Sequence, residues 1–184
     1  MILLGSSSST RAEILRSRGI DFKQAECGFD EDSVTHKRPE HFVYHAAMGK
    51  MRLCESKYGL SVPILCADTV VTAHGKILRK ASNEAEARKI LQMQSGSEVA
   101  IITCMVYKSE NITFIDLSKT LYRFAPFVQE DLERYIESGK WRGKAGACMV
   151  EGFCKPYIRS VEGYESCAMG LTIEKLEPWL KESV

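Results

Sequence analysis

The sequence predicts a mixed α/β fold, and three observations predict it. Short apolar runs that read as buried strands occur at Ile2 to Leu4 and Val62 to Ala67. Stretches with helical apolar spacing separate them, above all Pro39 to Tyr58. Two longer β-rich runs, Glu98 to Tyr107 and Ile112 to Phe124, flank the polar Ser109-Glu110-Asn111 and should pair antiparallel across it.

Each element has a local reason. After the first strand, Thr10-Arg-Ala-Glu13 reads as a capping box opening a helix that runs to about Arg18 and stops at Gly19. Phe22 to Glu26 suggests a second strand. Pro39 suits the first turn of the long helix, whose apolar positions are Phe42, Val43, Ala46, Ala47, Leu53 and Cys54. Lys50 falls on that stripe. Asn83 caps a helix from Glu84 to Met93, and another amphipathic helix spans about Gln129 to Ser138 after Pro126. The tail reads as a strand at Tyr157 to Val161 and a helix from about Thr172 to Lys181.

At 184 residues, without repeats or a Pro/Gly-rich linker, the chain is expected to form one domain, since domains run to roughly 100 to 200 residues. Apolar residues make up 45% and charged residues 27%, which excludes a disordered or fibrous chain. Twenty-five Lys plus Arg against 24 Asp plus Glu leave a net charge of +1, too little field to hold nucleic acid or an anionic membrane. The four leading apolar residues lack a basic flank and are too few for a secretory core, and Val99 to Tyr107 is short of the ~20 residues of a membrane span. A cytoplasmic protein is expected. The seven cysteines show neither C-x-x-C nor zinc spacing, and read as reduced, mostly buried small side chains.

The residues that invite chemistry begin at Gly5-Ser-Ser-Ser-Ser-Thr-Arg11, which joins a buried strand to a helix N-terminus. Unpaired backbone N–H groups there attract anions, and Ser6 and Ser8 would donate hydroxyls to a phosphate. Arg11 puts a cation where the helix dipole prefers an anion, a mismatch that a bound phosphate would resolve. A serine-rich turn with a solvated arginine is the plainer alternative. Asp68, in Cys66-Ala-Asp-Thr-Val70, is expected at the end of an apolar strand, where open α/β sheets place ligands. A desolvated carboxylate near phosphate calls for a divalent cation, with Glu31 as the second acid; a turn-capping Asp and a solvated acidic loop are the alternatives.

Lys50 either snorkels from its apolar face or meets an anion in a cleft, and Lys80 either returns a cation to the Asp68 site or is an exposed hairpin lysine. Gly143-Lys-Ala-Gly-Ala147 offers small residues for close backbone approach. A P-loop, H-E-x-x-H and G-x-S-x-G are all absent, which removes the P-loop nucleotidase, zinc hydrolase and serine hydrolase readings. Val70 fills the position at which an aspartyl phosphotransferase would carry the second Asp of D-x-D.

In this order the motifs resemble the Maf family of nucleoside triphosphate pyrophosphatases over nearly the whole chain. Ser6 to Arg11 with Ala-Glu-Ile-Leu is similar to the S-x-S-x-x-R-x-x-L-L opening, and Asp30-Glu31 to the D-E pair. Lys50 corresponds to the long-helix lysine, Ala67-Asp68-Thr69 to A-D-[TQ], Arg79-Lys80-Ala81 to G-K-P, and Lys144 to Ala147 to K-A-G-[AS]. The resemblance implies an elongated mixed sheet with flanking helices, an inosine triphosphatase-like architecture with two lobes around a cleft, and a homodimer.

It also implies hydrolysis of a triphosphate to monophosphate and pyrophosphate, with Asp68 as general base and Mg or Mn held near Glu31 and Asp68. Arg11, Lys50 and Lys80 would clamp the phosphates. Removal of noncanonical nucleotides is the implied role. A non-catalytic nucleotide-binding regulator of septum formation is the alternative, since the family is linked to septation. The base-choosing positions conflict: Thr10 replaces the Arg or Trp of the two familiar subtypes, Thr69 follows the pyrimidine type and Glu151 the 7-methylguanine type. Ala81, Cys148 and Gly170-Leu-Thr mark further divergence.

Overall fold

A computed structural model describes residues 1–181. The strands are β1 (Ile2–Leu4), β2 (Phe22–Gln24), β3 (Ile64–Ala73), β4 (Lys76–Leu78), β5 (Glu98–Lys108), β6 (Thr113–Phe124) and β7 (Ile158–Glu162). The helices are α1 (Ser9–Ser17), α2 (Pro39–Tyr58), α3 (Glu84–Gln94), α4 (Gln129–Glu137), α5 (Glu165–Ala168) and α6 (Ile173–Lys181). One open mixed sheet of seven strands has the order β2-β1-β3-β5-β6-β7, with β4 beside β3. β1 pairs parallel with both β2 and β3, as α/β crossovers require, whereas β3 with β4 and β6 with β7 are antiparallel. No described helix is long and apolar enough to cross a membrane.

The chain divides into two compact units. The first holds residues 1–69, 102–118 and 164 onward, and the second Val70–Ile101 and Lys119–Gly163. The core of the first is built from Leu4, Leu15, Leu65, Met105, Tyr107, Leu171 and Leu176, which fixes β1, α1, β3 and β5 against one another. In the second, Phe127, Tyr135, Phe153 and Tyr157 form an aromatic cluster, with Tyr135 and Phe153 stacked at 4.5 Å.

Four expectations change. The cap of α1 is Ser8 rather than Thr10: the Ser8 hydroxyl accepts from Arg11 N–H at 3.3 Å, because the turn leaves Ser8 extended while Thr10 is already helical. Asp68 stands inside β3 rather than at its end, since the β-forming Thr69-Val-Val-Thr72 continues the strand. Along α2, Met51 is buried and Leu53 is 41% exposed. The cysteines are not all thiols. Cys27–Cys54 and Cys148–Cys154 are disulfides, each brought together by folding from positions that no sequence spacing marks, while Cys66, Cys104 and Cys167 are free and buried.

Candidate active site

The first unit brings together seven of the sequence-predicted residues: Ser6, Ser8, Arg11, Glu31, Lys50, Asp68 and Thr69. Arg11 occupies the third position of α1, and its side chain turns into the protein rather than to solvent, with 9% of the residue exposed. Its Nε donates to Gly170 O at 3.0 Å, Nη1 to Ser6 Oγ at 3.0 Å and Nη2 to Thr69 Oγ1 at 3.1 Å. A guanidinium has five N–H donors, so two remain, one on each Nη, for a ligand. Burial lowers the pKa of Arg11, and the charges of Asp68 and Glu31 oppose that shift.

Ser6 Oγ accepts from Ser8 N–H at 3.2 Å as well as from Arg11, and Ser8 Oγ accepts from Arg11 N–H. Both hydroxyls act as acceptors inside the turn, which frees their O–H hydrogens for an anion.

Lys50 projects from the buried stripe of α2, and its ammonium bridges two carboxylates, donating to Glu31 Oε1 at 2.6 Å and Asp68 Oδ1 at 2.7 Å. Glu31 begins a 3₁₀ turn (Glu31–Ser33) capped by Asp30, whose carboxylate accepts from Asp32 N–H. That turn is seated by Phe29, whose ring lies so close to Gly49 that a Cβ there would come within 2.2 Å of it. Asp68 is 3% exposed, and burial raises its pKa, with Lys50 drawing it down and Glu31 adding to the rise. The carboxyl therefore holds a proton more tightly than an ordinary aspartate, the direction a general base needs. Two cations against two carboxylates cancel, so a polyphosphate entering here needs further positive charge.

The residues suit a divalent cation in one mode. Among the described residues no group of three or more His, Cys, Asp and Glu side chains could hold a metal, so the chain alone does not complete a coordination shell. Glu31 and Asp68 already share one cation, the Lys50 ammonium, and Mg2+ is commonly held by one or two carboxylates together with substrate phosphates.

Of the remaining predicted residues, Thr10 belongs to the first unit as well, and Lys80 and Glu151 belong to the second. Thr10 is half-buried at the second position of α1. Lys80 and Glu151 are exposed in the second unit, where Lys80 forms a backbone bridge to Ala145 and Gly146 N–H donates to Leu78 O. The G-K-P-like and K-A-G-A segments are thus neighbours there. Gln94, buried at 1% exposure, holds the second of them by donating from Nε2 to Gly146 O at 2.6 Å. Sequence reading gave no site role to Gln94, Gly170 or Thr103. Gly170 stood out only within the divergent Gly170-Leu-Thr, and Thr103 carried a signal as a hydroxyl inside the apolar run Val99 to Tyr107.

The family model described as Maf-like protein matches residues 1–183. A protein of Nitratiruptor sp. named Nucleoside triphosphate pyrophosphatase is 56% identical over 184 residues, covering 99% of this chain and all of its own. One of the same name from Helicobacter pylori strain J99 is 38% identical, covering all of this chain and 96% of its own. Another from Campylobacter jejuni is 33% identical over 183 residues, with 98% and 100% covered.

Proposed function

This chain belongs to the Maf family, and from that premise we propose that it is a nucleoside triphosphate pyrophosphatase, a hydrolase that cleaves between the α- and β-phosphates to give a monophosphate and pyrophosphate. The observation that carries the reading is the Lys50 ammonium bridging Glu31 and Asp68 in the unit where Arg11 keeps two donors uncommitted.

The phosphate chain binds on the turn before α1. Ser6 and Ser8 hydroxyls, the two remaining Arg11 donors and the N-terminal N–H groups of α1 supply directed donors for it. Phosphate oxygens compete with Glu31 and Asp68 for Lys50, so binding loosens the resting bridge and frees Asp68 to accept a proton. Asp68 Oδ1 faces Lys50, and Oδ2 takes the proton from the water that attacks the α-phosphorus. Its raised proton affinity favours that transfer. Mg2+ or Mn2+ held by Glu31 and Asp68 with the phosphates would neutralise charge and acidify the attacking water. Lys80 is the further cation proposed for the phosphate chain.

Thr10, Thr69 and Glu151 are the positions proposed to choose the base, so a substrate panel must include pyrimidine and 7-methylguanine triphosphates. We place the protein in the cytoplasm as a homodimer that clears noncanonical nucleotides. The test is a panel of triphosphates with Mg2+ or Mn2+, run in ¹⁸O-labelled water. The expected result is pyrophosphate release with label in the monophosphate; label in pyrophosphate, or no turnover of any base, overturns the reading.

A further inference from the structure

Thr103 lies on β5 with no exposed surface, amid apolar neighbours where an unpaired hydroxyl would be costly. Its Oγ1 lies 2.7 Å from Cys167 O and 2.8 Å from Thr69 Oγ1. A carbonyl oxygen only accepts, so the Thr103 hydrogen points to Cys167. The hydrogen in the contact between the two hydroxyls must then be Thr69's. With that hydrogen turned away, Thr69 presents lone pairs to Arg11 Nη2.

Cys167 O has a second partner, Gly170 N–H at 3.0 Å, and Gly170 O accepts from Arg11 Nε. The bonds close a ring. Arg11 donates to Thr69, Thr69 to Thr103 and Thr103 to Cys167 O; Gly170 donates to that same oxygen and accepts from Arg11. The ring ties α1, β3, β5 and the turn after α5 to one guanidinium and fixes its plane through two of its three nitrogens. A hydrogen-bonded circuit of this kind leaves no group free to re-pair without breaking a neighbour's bond.

We propose that Thr103 is a positioning residue for triphosphate binding: acting through Thr69, it sets the hydroxyl orientation that holds the Arg11 guanidinium with two donors presented to phosphate. The inference rests on the assignment of Arg11 to the phosphate chain. It also gives Thr69 a second duty, since its only hydrogen is unavailable to a nucleotide base.

Thr103→Val keeps the shape and removes the hydroxyl; Thr103→Ser keeps the hydroxyl. With the favoured triphosphate, Thr103→Val should raise KM roughly tenfold, the value of one such hydrogen bond, with kcat within about twofold. Inorganic tripolyphosphate, as a competitive inhibitor, should weaken in parallel. Thr103→Ser should restore both, and Thr103→Val should add nothing on a Thr69→Val background, where the ring is already open. Thr103→Ala serves if the valine variant folds poorly. Unchanged KM and inhibition in Thr103→Val, or fully additive effects with Thr69→Val, overturn the inference. Arg11→Gln separates the two levels: full activity there overturns the phosphate role of Arg11 and this inference with it, whereas a crippled Arg11→Gln beside a wild-type Thr103→Val overturns this inference alone.

Discussion

The Lys50 ammonium donates to Asp68 Oδ1 at 2.7 Å from a helix face that is otherwise buried and apolar. Neither group would be stable there alone. A lysine on an apolar stripe is an anomaly in the sequence, a carboxylate inside a strand is one in the structure, and each is the other's resolution. The attraction does not fully compensate the loss of water around Asp68, because burial is the largest influence on its pKa and the net shift is upward.

Asp68→Asn should therefore separate activity from stability. Loss of a general base, the role proposed for Asp68, costs about 10²- to 10⁴-fold in rate, and kcat should fall within that range. Stability should move the other way. A carboxyl whose folded pKa is raised favours the folded state below its unfolded pKa and loses that contribution as pH climbs through the folded value. At pH 7 in metal-free buffer the variant should melt at or above the wild-type temperature, and its advantage should shrink near pH 4. A variant that melts well below wild type at pH 7 would mean that Lys50 stabilises the carboxylate by more than burial costs it.

Gly49→Ala reads the seating of the Glu31 turn. Replacing a mid-helix glycine by alanine stabilises an exposed helix by about 1 kcal/mol. Here the new methyl would fall within 2.2 Å of the Phe29 ring, so overpacking of about 1 to 3 kcal/mol should win. A lower melting temperature with a raised metal requirement is expected, since Phe29 and Glu31 share one short loop. A stabilised, fully active variant would show that Phe29 moves aside without disturbing Glu31.

Gly170→Ala tests the guanidinium from its other side. Gly170 has φ +102°, outside the range side chains tolerate, and a Cβ would stand 3.0 Å from Arg11 Nε. Backbone strain of about 1 to 3 kcal/mol should accompany a displaced guanidinium. Both a lower melting temperature and a raised KM are expected, measured by calorimetry and steady-state kinetics. A fall in stability with KM unchanged would mean that the ring adjusts without moving Arg11.

Much of the fold was legible because its signals are local. Pro39 opens α2, Asn83 caps α3, and Gly19 follows the end of α1, each for backbone reasons that act within a few residues. Adjacent hydroxyls defeated the same logic at the start of α1, where Ser8 and Thr10 have equal chemistry and only the path of the chain selects Ser8. The resemblance named the charged residues of the site, but their mutual arrangement depends on contacts distant in sequence. Lys50 meets Asp68 across 18 residues, Arg11 meets Gly170 across 159, and Thr103 meets Cys167 across 64. Glycine at 170 is required by its φ of +102° and by the guanidinium packed on it, and neither is visible in the sequence.

The cysteines give the last prediction, because composition and structure disagree about them. With Cys27–Cys54 and Cys148–Cys154 joined, protein unfolded without reductant should expose three reactive thiols, and seven after reduction. In the native state Cys66 and Cys104 are pushed up to about 12 by burial, so little thiolate exists to attack an alkylating reagent. Iodoacetamide at pH 9 should leave both unmodified, as read by mass spectrometry of peptides. The bond between residues 27 and 54 closes a loop of 27 residues and ties the segment leading to Glu31 to the helix carrying Lys50. Closure of a loop that size restricts the unfolded chain by about 3 to 4 kcal/mol, so reductant should lower the melting temperature measurably. Seven thiols reacting in unreduced, unfolded protein would remove both the bonds and that effect.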